Sequence, residues 1–405
     1  MVQYSDSNKV KSLKIAVYFL AALLLSKCEM SSNKSGVGDL VEIDISKKYP
    51  EKEMLIQDLG NVEYIPLETN KNTLMRSRAR IVHVSDYYII ASNTTDGDVF
   101  IFDGKGKSKF SFNREGRSGT EYNILSSIAF DEKAKEIFIF DRTSANPKFL
   151  VYAEDGEFKR SFTSPSSFTP KDMFNFDDET LLVYDDYGLL LSGNRYSKKP
   201  YMLLSKKDGS IVDTLGIHLP VRLSNRVLID FEKDGQTYST TLNLIMLNNC
   251  SYGINFLIAD MSSDTIYRLT PKKLLQPMIV RKPPIQSTEP KMVITSELIT
   301  DDFILLTKGV LDFELAKRTM QFQTVKLMYE FKTGQLNEYK LLNKDYESSK
   351  IDFWETITPE NTGIILLDVA ELFETDEAGK IKGELKQLLK SLNEEDNPIL
   401  MKIKF

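Results

Sequence analysis

A fifty-residue repeat, glycine-bearing turns at matched positions and strands apolar at consecutive positions predict an all-β chain: a six-bladed β-propeller of four-stranded blades, closed by an N-terminal strand. The repeat is plainest in two runs, VFIFDGKGKSKFSF (Val99 to Phe112) and FLVYAEDGEFKRSF (Phe149 to Phe162). Each is an apolar strand, a tight turn carrying Gly106 or Gly156, and a strand that mixes polar with apolar residues. Gly209 follows 53 residues after Gly156, and Gly334 marks a later copy. Gly suits such hairpin turns because only Gly takes a positive φ without cost.

The strands can be placed unit by unit. The first unit reads RIVHV (80–84), YYIIAS (87–92), DVFIFD (98–103) and KSKFSF (107–112); the second reads IAFDE (128–132), EIFIFD (136–141), KFLVYA (148–153) and EFKRSF (157–162). DMFNF, TLLVYD, PYMLLS and SIVDTL form the third, between 172 and 215. The fourth is TLNLIML, GINFLIA, DTIYRL and LLQPMIV, between 241 and 280, and the fifth runs from MVITSEL to QLNEYKLL, between 292 and 342. Middle strands apolar on both faces need sheets stacked against each, whereas the last strand alternates as an exposed edge does. A sixth unit holds FWETI (353–357), GIILLD (363–368) and PILMKIKF (398–405) but lacks an outer strand. VEYIPLE (62–68) supplies it, which zips the ring and removes the open edge.

The N-terminus predicts export. Lys9, Lys11 and Lys14 precede IAVYFLAALLLS (15–26), a run of about 18 Å as helix and too short for a roughly 30 Å hydrocarbon core. It fits a signal peptide over 1–27. Leu25 to Cys28 reads LSKC, similar to a bacterial lipobox, so Cys28 is the expected lipidation site; the alternative is an ordinary signal peptide with a chance Cys. Residues 28–40 read as a flexible tether and 41–405 as the propeller.

The formal charge is −6; four Lys and one Asp before Cys28 put +3 there and −9 on the rest, which argues against nucleic-acid binding. Two Cys and two distant His (His83, His218) spell no ordinary zinc site, and no metal or other cofactor is implied.

The runs YIPLET (64–69), GRSGTEY (116–122) and EEDNPIL (394–400), with the repeated FIFD/VYAEDGEF pattern, resemble the six-bladed β-propeller lipoproteins of Bacteroides-like bacteria, relatives of the NHL and TolB propellers. In that family a Gly-Pro-Gly-Glu-Tyr run separates the first two blades. Here Ser118-Gly119-Thr120-Glu121-Tyr122 stands in its place, keeping Glu and Tyr and lacking the proline. The resemblance implies an exported, lipid-anchored propeller and lends no single activity.

In an up-and-down blade the A–B and C–D turns share one face, and the B–C and D–A connections share the other. The long connections (186–199, 216–239, 281–290 and 371–396) all belong to the second kind, so recognition is expected on that decorated face. Arg117, Glu121 and Tyr122, Arg142 after Asp141, Asp185, Tyr187 and Arg195, and Trp354 with Glu355 are its candidate binding residues. Trp354 could stack on a ring or pack a blade; Asp141-Arg142 could be a turn pair; Asp185-Asp186 could take calcium, without a full ligand loop. His83 could face the channel as a structural group or a base. Ile381, Leu385, Leu388, Leu389 and Leu392 predict a helix in the last insertion, either covering the disc or docking a partner. No catalytic signature such as GxSxG or HExxH occurs. The expectation is a non-enzymatic envelope protein, membrane-bound through its lipid and placed at the outer membrane, that binds a small molecule, a glycan or an envelope protein. The alternatives are a hydrolase or lyase acting on glycans or a lactone at the channel, and a structural part of an envelope complex.

Overall fold

The computed structural model describes residues 40–405 except 76–78, 143–146, 165–169, 186–198, 220, 225, 234, 245–248, 354 and 356. The chain first lays down β1 (Val41–Asp44), β2 (Glu51–Leu55), the one-turn helix α1 (Ile56–Leu59) and β3 (Asn61–Pro66). Three regular blades follow. Blade 1 is β4 (Arg80–Val84), β5 (Tyr88–Asn93), β6 (Asp98–Asp103) and β7 (Ser108–Asn113). Blade 2 is β8 (Leu125–Asp131), β9 (Glu136–Asp141), β10 (Lys148–Ala153) and β11 (Phe158–Thr163). Blade 3 is β12 (Pro170–Asn175), β13 (Thr180–Asp185), β14 (Tyr201–Ser205) and β15 (Ile211–Thr214). Each is hydrogen-bonded in sequence order.

Burial follows the sequence pattern. β5 and β13 are buried at all six positions, whereas β11 alternates and β15 is exposed throughout. Neighbouring blades share cores: Val82, Ile90 and Ile101 of blade 1 pack with Phe130, Ile139 and Leu150 of blade 2. The C–D glycines do more than turn the chain. Gly106, Gly156 and Gly209 all have positive φ, and a Cβ there would lie 2.3 Å from Pro66 O, 2.6 Å from Phe112 and 2.5 Å from Phe162. Each turn glycine therefore seats the outer strand of the preceding blade, and β3 is to blade 1 what β7 is to blade 2.

A hairpin, β16 (Arg226–Lys233) with β17 (Gln236–Asn243), separates blade 3 from blade 4. Blade 4 is β18 (Asn249–Tyr252), β19 (Asn255–Ile258), β20 (Thr265–Leu269) and β21 (Leu275–Lys282). Its inner strand, expected at 241–247, is the short NCSY run instead. Thr241 to Asn243 finish the hairpin, where Leu242 pairs with Val227. Blade 5 is β22 (Lys291–Ile299), β23 (Phe303–Leu311), β24 (Gln323–Glu330) and β25 (Leu336–Asn343), with helix α2 (Phe313–Thr319) after β23 and β26 (Tyr346–Lys350) returning on β25. β1 and β2 add as fifth strands, parallel to β21 and β25.

Blade 6 combines β27 (Ile357–Thr358), β28 (Thr362–Leu367), β29 (Ile399–Lys404) and β3. The closure is as expected: β3 pairs antiparallel with β29 from Asn61↔Lys404 to Pro66↔Ile399. Asn397 locks it, its side-chain amide accepting from Met75 N and donating to Glu68 O and Thr73 O. The inner strand is shorter than the expected 353–357 and pairs in parallel with β18. Phe353 instead fills the blade 5–6 core, where Gly363 leaves room; a Cβ there would meet its ring at 2.3 Å. The last insertion forms two helices, α3 (Val369–Glu377) and α4 (Gly383–Leu389), rather than one. Leu372, Ile381, Leu385 and Leu389 are buried in the core, so this apolar stripe covers the disc.

Candidate functional site

The A strands converge on the ring axis and end in short acidic turns: Ser85-Asp86, Asp131-Glu132-Lys133 and Asp177-Asp178. These residues also build the turns. Ser85 Oγ accepts from Tyr88 N at 3.0 Å, Asp131 from Ala134 N at 3.0 Å, and Asp177 from Thr180 N at 2.7 Å. Between the turns lies a cavity of about 860 Å³, lined by blades 1, 2, 3, 4 and 6. Blade 5 contributes no described residue, because the β18–β27 pairing joins blade 4 directly to blade 6.

Aromatic side chains, Phe130, Phe174 and Phe256 among them, give the cavity its apolar wall, and charged groups give it its mouth. His83 Nε2 stands 2.7 Å from Glu132 Oε2, and its ring packs edge-on against Phe130. The hydrogen bond from His83 pulls the Glu132 carboxyl below its ordinary value against the opposing effect of burial. An ionised carboxylate can only accept, so in this contact His83 Nε2 carries the proton and donates to Glu132. Asp131 is held at 2.5 Å by Lys206, a buried pair joining blade 2 to blade 3. Lys133 pairs with Asp178. Lys402 and Lys404 enter from β29, on the same face of the strand. Among the described residues no group of three or more His, Cys, Asp or Glu is placed to hold a metal ion.

The described candidate residues read from the sequence lie outside this cavity lining. Tyr122 is buried, its phenol donating to Gly97 O at 2.6 Å and accepting from Arg114 N at 2.8 Å. Glu121 folds onto its own loop, accepting from Ser118 N; those hydrogen bonds hold its carboxyl below the usual value. Tyr152 OH donates to Thr120 O, so side chains brace the loop without the proline. Arg117 and Arg142 are exposed. Asp141 accepts from Asn123 N and Ile124 N, which is a turn role. Asp185 is buried at the end of β13, and its carbonyl accepts from Arg222. Glu355 accepts from Ile81 N at 3.1 Å, and burial pushes its carboxyl up to about 7, opposed by that bond and by Arg80. Cys28, Asp186, Tyr187, Arg195 and Trp354 lie outside the described residues.

Sequence reasoning missed Glu132, Lys206 and Lys402. The signal was present as an Asp repeated after the A strands of blades 1 to 3, at 86, 131 and 177. An Asp in a tight turn reads as turn chemistry, and here it is both.

Residues 40–404 match the model of a family described as a domain of unknown function, DUF4934, and the chain belongs to that family. No curated protein matches the chain. The fold is similar to a crystal structure of a "Putative exported protein" from Bacteroides fragilis, with 16% identity, TM-score 0.61, and coverage of 91% of this chain and 99% of that one. A Bacteroides vulgatus member of the duf4221 family matches at 8% identity and TM-score 0.41, covering 85% and 96%. A Bacteroides caccae protein of unknown function matches at 8% identity and TM-score 0.35, covering 70% and 87%.

Proposed function

We propose that this protein is an exported, lipid-anchored envelope protein that binds a small ligand in the cavity between the A–B turns. The observation that carries the binding assignment is the cavity itself: about 860 Å³, apolar-walled, lined by five blades, with charged groups converging from four of them. That volume falls within the range of roughly 300–1,000 Å³ usual for small-molecule sites. The last insertion does not line the cavity; its buried stripe on α3 and α4 is spent on covering the core. Export and anchoring rest on the N-terminal segment and Cys28. Among the described residues no helix is long and apolar enough to cross a membrane. The outer membrane is the proposed location.

The test is a thermal-shift screen of the detergent-extracted full chain against sugars, amino acids, nucleosides and carboxylic acids. Compounds that stabilise the wild type should lose their effect in Glu132→Ala and keep it when the exposed hairpin 226–243 is replaced by a short Gly-Ser turn. The reverse pattern would assign binding to the decorated face. For the anchor, Cys28→Ser should move the protein from the membrane to the soluble fraction.

The His83–Glu132 pair favours one second reading, a hydrolase or lyase acting on glycans or a lactone. A carboxylate-oriented imidazole at a cavity is the arrangement of a general base. Turnover of any cavity ligand, abolished by His83→Gln with binding retained, would establish it.

A further inference from the structure

Lys402 is the one feature of the cavity that the fold does not explain. It sits in the middle of β29, opposite Glu63 and Ile364, and only 7% of its side chain is exposed. An ammonium carries three donors, and burying it is costly unless acceptors are supplied. Its ion-pair partner, Asp86 Oδ1, is 3.7 Å away, beyond hydrogen-bonding distance, and the Asp86 side chain is 84% exposed. Solvent screens such a contact. Two lysines held against a buried carboxylate are treated differently: Lys206 has Asp131 at 2.5 Å, and Lys326 has Glu297 and Asp352. A buried cation short of a hydrogen-bond acceptor therefore lines the cavity.

We infer that Lys402 is the anchor for a carboxylate of the bound ligand. This rests on the cavity-binding reading and specifies its ligand as a small carboxylate-bearing molecule. A carboxylate fits better than a phosphate, because Asp86, Glu132 and Glu360 line the same cavity and oppose a dianion more than a monoanion. Sugar acids and free amino acids or short peptides both present that group.

The experiment is calorimetric titration of the detergent-extracted full chain with four probes: a galacturonate oligomer and its methyl ester, and a dipeptide and its C-terminal amide. One acid form should bind at least tenfold tighter than its neutral partner, and which pair does so identifies the source. Lys402→Met should erase that preference and Lys402→Arg should keep it. Without ligand, Lys402→Met should raise the thermal midpoint, because it removes a buried cation short of acceptors; a lysine kept for structure would lower it. Equal binding of acid and neutral forms, no binding tighter than about 1 mM, or a lowered midpoint for Lys402→Met would each overturn the assignment. If other ligands bind the cavity and respond to Glu132→Ala while these four do not, the cavity reading stands and the Lys402 assignment falls alone.

Discussion

Lys206→Met is the perturbation whose cost the structure fixes best. The ammonium lies 2.5 Å from Asp131 Oδ2, with the two side chains only 7% and 5% exposed, and it also donates to the Asp177 carbonyl. Methionine fills similar volume but leaves Asp131 buried without its counter-charge. Breaking a buried pair from one side costs about 3–5 kcal/mol, whereas replacing both partners with apolar residues is often near neutral. Here Asp131 keeps one hydrogen bond, from Ala134 N, so the expectation sits toward the lower end, about 3 kcal/mol. The assay is urea denaturation, in which the midpoint should fall while the slope stays constant. Adding Asp131→Leu should recover more than half of the loss, a coupling that double-mutant analysis reads directly. A single-variant loss below about 1 kcal/mol, the scale of an exposed pair, would refute the view that this contact is dry and holds blades 2 and 3 together.

Glu355 is raised from 4.5 to about 7, so its neutral form is favoured in the folded state; its stabilising contribution is full below pH 4.5 and lost as pH rises through about 7. The side chain is half-buried, so the loss is at most about 3 kcal/mol, and Glu355→Gln should flatten the stability–pH profile over that window. Asn397→Ala removes three hydrogen bonds that tie residues 68–75 to the closing strand and should cost about 2–4 kcal/mol in urea, with faster proteolysis near residue 75; an unchanged midpoint would mean the latch does not need it.

Much of the fold was legible because its rules are local and repeated. A positive-φ glycine at 106, 156 and 209 marks the C–D turn and also the seat of the neighbouring blade. The closing strand was found because blade 6 was one strand short. β1 and β2 were missed for the opposite reason: a fifth strand added in parallel completes no count and leaves no turn signature. The inner strand of blade 4 was misplaced because TLNLIML is more apolar than NCSY. Yet the buried position belongs to the latter, whose Cys250 sits in a core while Ser251 lines the cavity. The site was hidden because its residues are turn formers, and length of insertion pointed to the other face. Lys402 could not be distinguished from any lysine near a terminus until its burial was known.

β29 closes the ring and carries Lys402 and Lys404 into the cavity, so site and latch are one structure. Native-state hydrogen exchange on the full chain tests this most directly. Amides of 61–65 and 399–404 that pair across β3 and β29 should be protected together, to the level of the buried middle strands of blades 1 and 2. Exchange of 61–65 within seconds, as for a frayed terminal segment, with 399–404 protected on one side only, would contradict the closed ring and the cavity built on it.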